Sequence, residues 1–247
     1  MPAADAAASP AGAAAAPVLS QIEATWLYYF GRIICRTWVD QSFDLKVYNP
    51  HFVPRHGGAL IVSNHQSNLD PVLLAAKLVR PMSFLAKSEL FENRFFGWMI
   101  RNLNAFPVRQ GEGDVGAVKE TIRRLQEGHL LNVFPEGTRT PDGEIHEMQA
   151  GVGLIIRRAG VPVVPAVIDG SFKAWPRGSK LWRRQKIRVQ YGPAMDLWDL
   201  KAAAIIQRID TTLRTMFEEL RSREKATPSP LAAARKGEGV KADHETA

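Results

Sequence analysis

The sequence predicts an α/β fold, a mixed central sheet flanked by helices, and three observations carry that expectation. From residue 58 onward, short β-rich runs alternate with stretches of helical periodicity, the pattern of a layered sheet-and-helix domain. With 45% hydrophobic and 23% charged side chains, 247 residues hold enough apolar material for one sizeable core. Both ends are poor in large apolar residues, the first being mostly alanine and proline, so the core must be built from the middle of the chain.

Residues 1–17 are Ala/Pro low complexity without a basic start, which reads as a disordered tail and not a secretory signal. Residues 18–42 are expected to form a helical segment at a membrane interface. Its centre, TWLYYFGRIICRTW, is too short and too interrupted by Arg32 and Arg36 to span a bilayer, yet it crowds Trp, Tyr and Phe around arginines able to snorkel. A helix buried against the core is the other reading of the same residues. Strands are expected at GALIVS (58–63), SFLA (83–86), LNAFPV (103–108), HLLNVF (129–134), VPVVPAVI (161–168) and KIRVQY (186–191). Val115, Val118, Ile122 and Leu125 recur at helical spacing between Asp114 as cap and Gly128 as stop. A last helix from about Leu197 aligns Leu200, Ile206, Ile209, Leu213, Met216 and Leu220. The globular domain is bounded at 43–223, and 224–247 is polar and Pro/Gly-punctuated enough to be a second disordered tail.

Composition narrows the chemistry. One cysteine, Cys35, excludes an internal disulfide and suits a reducing compartment, and six scattered histidines form no metal-ligand spacing, so no metal is expected. A net charge of +7 points to an anionic partner without choosing among nucleic acid, phosphate-bearing substrate and anionic bilayer.

Chemistry concentrates just past the expected strand ends, where α/β folds place their sites. ALIVS runs into Asn64-His65-Gln66-Ser67-Asn68-Leu69-Asp70-Pro71. On a continuous helix, residues five apart face different ways, so His65 can meet Asp70 only across a strand-to-helix turn. If they meet, the carboxylate fixes the imidazole tautomer and His65 can act as general base; otherwise Asp70 is a helix N-cap ahead of Pro71. HLLNVF leads into Phe134-Pro135-Glu136-Gly137-Thr138-Arg139, a turn offering amides, a hydroxyl and a guanidinium suited to phosphate. A third strand end delivers Arg109.

NHQSNLD, AFPVR, FPEGTR and VPVVPAVI, in that order and spacing, resemble the lysophosphatidic acid acyltransferase family within the glycerolipid acyltransferases, over about Leu45 to Pro193. The resemblance implies His65 and Asp70 as the catalytic pair. It implies Arg109 and Arg139 as holders of the acceptor phosphate, and Glu136, Gly137 and Thr138 as shapers of the acceptor site. Pro162 and Pro165 match an apolar block near the acyl chain. The implied reaction moves a fatty acyl chain from acyl-CoA or acyl carrier protein, as co-substrate and without cofactor, to the sn-2 hydroxyl of 1-acylglycerol 3-phosphate. One departure stands out: where many members carry a basic Phe-Lys-Lys/Arg-Gly run, this chain has Glu147-Met148-Gln149-Ala150-Gly151, which leaves the exact lysolipid acceptor open.

Two competing patterns were weighed. Gly111-Glu112-Gly113-Asp114-Val115-Gly116 matches GxGxxG, but Glu112 and Asp114 would set carboxylates where a pyrophosphate must bind. Lys173, Arg177, Lys180, Arg183, Arg184, Lys186 and Arg188, interleaved with Trp175 and Trp182, suit single-stranded nucleic acid or a headgroup surface. Beside an acyltransferase-like core the headgroup reading is preferred, so the expected partners are an anionic membrane surface, a lysophospholipid and a thioester donor, and not nucleic acid. The expected location is the cytoplasmic face of a membrane, peripheral or monotopic. No GxSxG elbow or P-loop is present, which removes serine hydrolases and NTPases.

Overall fold

In a computed structural model of the protein, residues 26–108, 115–176, 178–179 and 181–226 are described. In chain order the elements are α1 (Trp26–Ser42), β1 (Asp44–Tyr48), β2 (Ala59–Ser63), α2 (Asp70–Ala76), β3 (Phe84–Lys87), α3 (Arg94–Asn102), β4 (Ala105–Val108), α4 (Val115–Gln126) and β5 (Leu130–Val133). They continue as α5 (Gly151–Ala159), β6 (Val163–Asp169), the single turn α6 (Ser171–Ala174), β7 (Lys186–Tyr191) and α7 (Ala202–Ala226). The main sheet is mixed, in the order β1-β7-β6-β2-β5. Strands β6, β2 and β5 run parallel, and β7 is antiparallel to β6. A parallel pair, β3-β4, attaches beyond β5 through a bridge from Ser83 to Leu131.

The six expected strands lie where the apolar runs put them, and the fold is the expected α/β arrangement. Every residue of β2 and β5 is buried, which is why neither alternates polar with apolar, and the two polar members, Ser63 and Asn132, bond each other at 3.2 Å. Successive residues of β2 feed two cores. Leu60 and Val62 pack with α4, α5 and α7, whereas Ala59 and Ile61 pack with α2 and Val39 of α1. Pro165 sits in β6 between the regular ladder with β7, which begins at Ala166, and the bridge of Val163 to Met195, and its carbonyl accepts from Gly192 N at 2.8 Å.

Four expectations are corrected. β1 is an additional strand: DLKVY is partly exposed along its length and carries too weak an apolar signal to be read from sequence. The last helix starts at Ala202, and Leu200 lies ahead of it and is exposed. That helix runs to Ala226, so residues 224–226 are not tail. Glu224 is held there by Arg188 at 2.8 Å and by the Tyr48 hydroxyl at 2.9 Å. Arg32 does not snorkel; it donates to the carbonyls of Leu78 and Val79 at 3.1 and 3.0 Å. Asp114 and residues 18–25 lie outside the described residues.

Gly58 and Gly160 separate two uses of glycine. A Cβ at Gly58 would collide with the carbonyl oxygen of Leu125, whereas at Gly160 it would meet nothing, although φ there is +62°. Gly58→Ala must push β2 off α4 and should cost about 2 kcal/mol or more, roughly 4–8 °C in Tm. Gly160→Ala carries only the left-handed penalty of about 1–2 kcal/mol. Thermal denaturation of the two variants side by side checks the difference.

Candidate active site

The site is assembled where β2, β5 and β6 end. Beyond the last β2-β6 register pair, the Asn64 side chain continues the ladder by hand. Its Nδ2 donates to Ile168 O at 2.9 Å, and its Oδ1 accepts from Ile168 N at 2.8 Å. The chain then turns, and His65 is gripped through its main chain. Its amide donates to Glu136 Oε1 at 2.8 Å, and its carbonyl accepts from Thr140 N at 2.8 Å. The Phe134 ring lies flat on the imidazole, centroids 3.8 Å apart and 12° from parallel.

The turn brings His65 and Asp70 together, with Nδ1 2.9 Å from Oδ2. Asp70 is wholly buried, and the same Oδ2 also accepts from the amides of Gln66 at 2.6 Å and Ser67 at 2.7 Å. The N-cap reading of Asp70 is therefore corrected. Leu69 occupies the cap, and the carboxylate reaches back to the turn before the helix because its oxygens are already committed there. With a carboxylate facing Nδ1, the proton belongs on that nitrogen and Nε2 is left as the acceptor. The imidazole, 17% exposed, has no further hydrogen-bond partner among the described residues.

Two members of the network were not singled out from the sequence. Ser171, fully buried at the start of α6, donates to Asp70 Oδ1 at 2.6 Å. Gln66 joins the β2 turn to two other loops. Its Nε2 donates to Gly143 O at 2.8 Å, and its Oε1 accepts from Phe172 N at 3.3 Å. The available signal was positional: Asp169-Gly170-Ser171 closes the third parallel strand as NHQ closes the first.

The other expected residues divide by what they face. Glu136 is buried, and its second oxygen accepts from His146 N at 3.0 Å, so both oxygens serve the main chain. Burial pushes its carboxyl above the usual range, against the pull of those amides. Gly137 takes φ +69°, a conformation that suits glycine, with the Gln149 side chain packed where a Cβ would sit. Thus Gln149, where a basic residue is common in the resembled family, does lie against the Glu136–Arg139 turn. Thr138 is exposed, and Arg139 is half-buried with no ion-pair or hydrogen-bond partner among the described residues. Arg109 lies outside the described residues, as do Gly111 to Asp114 of the GxGxxG match. Arg188 is not part of an open basic strip; it is buried and paired with Asp44 and Glu224.

A histidine whose tautomer is fixed by a buried carboxylate, at the mouth of three parallel strands and bonded by its carbonyl to the loop that carries Arg139, can take a proton from a hydroxyl. Comparison with known proteins agrees. The family model described as Acyltransferase matches residues 44–169, and the chain belongs to that family. It is similar to the 1-acyl-sn-glycerol-3-phosphate acyltransferase of Bacillus subtilis, 28% identical over 76% of this chain and 89% of the relative. The enzyme of that name from Streptococcus pneumoniae is 29% identical, over 83% and 78% of the two chains. Among solved structures, the 1-acyl-sn-glycerophosphate (LPA) acyltransferase PlsC of Thermotoga maritima superposes with a TM-score of 0.66 at 28% identity, covering 78% of each chain.

Two measurements probe the buried network. Ser171→Ala removes a donor to a buried carboxylate and should cost about 1.5–3 kcal/mol in chemical denaturation. It should also move the acid limb of the pH–rate profile, which loss of packing alone would not do. For Glu136, an acid whose folded pKa is raised contributes stability that is full below its ordinary value of 4.5 and is lost as pH rises through the folded value. The wild type should therefore lose stability relative to Glu136→Gln as pH climbs above 4.5, read from denaturation midpoints across pH.

Proposed function

We propose that this acyltransferase esterifies the sn-2 hydroxyl of 1-acylglycerol 3-phosphate, with a fatty acyl thioester of coenzyme A or acyl carrier protein as donor, yielding phosphatidic acid. The observation that carries the reading is the 2.9 Å pairing of His65 with buried Asp70, which leaves Nε2 open. His65 Nε2 takes the hydroxyl proton as that oxygen attacks the thioester carbonyl. The tetrahedral intermediate then collapses, the C–S bond breaks, and the leaving sulfur receives the proton from the imidazolium. Arg139, on the loop whose next residue, Thr140, bonds the His65 carbonyl, is suited to the acceptor phosphate, and Arg109 follows β4 as a second candidate. Glu136 and Gly137 act by holding the loop on which Arg139 sits.

Transfer is direct in this reading. The two serines two residues from His65 are both buried and engaged: Ser67 donates to Trp175 O at 3.0 Å, and Ser63 accepts from Asn132 Nδ2 at 3.2 Å. Cys35 sits on α1, where burial pushes its thiol up and away from the reactive thiolate.

We place the protein at the cytoplasmic face of a membrane. Trp26, Phe30, Ile33 and Ile34 of α1 are exposed, as are Phe95 and Trp98 of α3, and Gly31 of α1 packs against Leu103 just past α3. No described helix is long and apolar enough to cross a membrane, so interfacial seating is the mode proposed. Trp182, edge-to-face with Trp38 of α1 at 5.2 Å between ring centroids, ties the segment carrying exposed Arg183, Arg184 and Lys186 to the same helix.

Purified protein given mixed lysolipids and each thioester should produce phosphatidic acid by mass, with intersecting initial-rate plots. His65→Ala should lower kcat about 10²–10⁴-fold without unfolding. Arg139→Ala should depress kcat/KM for the phosphate-bearing acceptor far more than for monoacylglycerol. Equal losses on both acceptors would remove the phosphate role.

A further inference from the structure

At the opposite end of the parallel strands from His65 lies a cleft of about 510 Å³. It is formed by the loop entering β2, the loop leaving α2, and Gly128 ahead of β5. The five residues of β2 separate it from the catalytic turn by ~17 Å. Tyr29, His51, Arg55, His56, Lys77 and Arg80 line it, and among the described residues no carboxylate does.

The positive charge there is under-compensated. Arg80 spends its guanidinium on main-chain carbonyls, donating to Pro54 O at 2.8 Å and to Gly57 O and Gly128 O at 2.9 Å, with no acidic partner among the described residues. Burial pulls its pKa down, a sign that the charge is poorly solvated. Arg55 and His56 are exposed and have no hydrogen-bond or ion-pair partner among the described residues. Only Lys77 is matched, by Asp40 at 2.7 Å. One wall is apolar: Tyr29 belongs to the exposed aromatic face of α1, and Val79 is 78% exposed.

We propose that this cleft binds a phosphate group, carried by an anionic lipid headgroup or by a soluble phosphoester, at a site distinct from the acceptor site. A guanidinium already tied down by carbonyls forms the floor, Arg55 and His56 supply mobile donors, and the apolar wall accepts the start of an acyl chain. The headgroup form rests on the membrane reading above. Phosphatidic acid, the product of the proposed reaction, has the required chemistry.

The test is vesicle flotation of the full chain with phosphatidylcholine alone and with phosphatidic acid added, alongside thermal shift by inorganic phosphate. Arg55→Ala/Lys77→Ala is compared with Arg157→Ala/Arg158→Ala, an equal loss of charge at two exposed positions on α5. The cleft variant should lose at least about tenfold of the gain in binding brought by phosphatidic acid, beyond any loss in the control. Its binding to phosphatidylcholine and its turnover of detergent-dispersed substrate should be unchanged. Arg55→Ala alone, a partnerless surface change, serves if the double variant does not fold. A phosphate-induced shift lost in the cleft variant, without vesicle selectivity, assigns the site to a soluble phosphoester. Equal losses in cleft and control variants, or no phosphate response in either assay, overturn the proposal. A wild type that binds no vesicle yet keeps the phosphate shift overturns the membrane reading alone.

Discussion

The carboxylate of Asp70 is the point at which the fold and the site depend on each other. A buried carboxylate without partners costs several kcal/mol, so its burial is tolerable only while donors surround it. Those donors are the imidazole of His65, the amides of Gln66 and Ser67, and the hydroxyl of Ser171. The first three arrive from the end of β2 and the last from the end of β6. Strand register is thereby a condition of the site: a one-residue slip of β6 against β2 would turn Ser171 away and strip Asn64 of both its bonds to Ile168.

The turn after β5 completes the arrangement through the main chain and one ring. Glu136 spans the amides of His65 and His146, Thr140 closes onto the His65 carbonyl, and Phe134 covers the face of the imidazole. The backbone polar groups around His65 are thus satisfied within the protein, while its Nε2 and the guanidinium of Arg139 are left for an incoming molecule. The neutral Gln149 against the same turn sets this chain apart where acceptor preference would be read, because an amide offers a phosphate hydrogen bonds without a charge.

Charged and aromatic residues that look alike in the sequence have different fates. Arg188 is consumed in joining β7 to β1 and α7 through Asp44 and Glu224, and Arg32 and Arg80 are consumed by carbonyls. Arg183 and Arg184 remain exposed. On α1, Tyr28 turns inward to accept the Met82 amide at 3.0 Å, while Tyr29 and Phe30 stay outside. Of the two sequence readings of α1, the buried one holds for the stripe with Tyr28 and Val39, while Trp26, Phe30, Ile33 and Ile34 form an exposed apolar face.

The sequence by itself determined the central parallel strands β2, β5 and β6, because strands buried on both faces read as largely apolar runs. It also determined the placement of His65 and the Glu136–Arg139 turn at strand ends, because such polar runs directly follow apolar ones. β1 escaped because a half-exposed edge strand needs no such pattern, and the end of α7 escaped because Glu224 is held by Arg188, 36 residues away in sequence. Only the tertiary structure decided that Asp70 faces backward to His65 and not into its own helix. It also decided that Ser171 joins them, that Glu136 serves amides and that Gln149 lies on Gly137. The Ser171 and Glu136 contacts join ends of strands that the sheet makes adjacent, and that adjacency is a property of strand order, which no local run of residues encodes, whereas the Asp70 and Gln149 contacts depend on how the turns after β2 and β5 fold back on themselves.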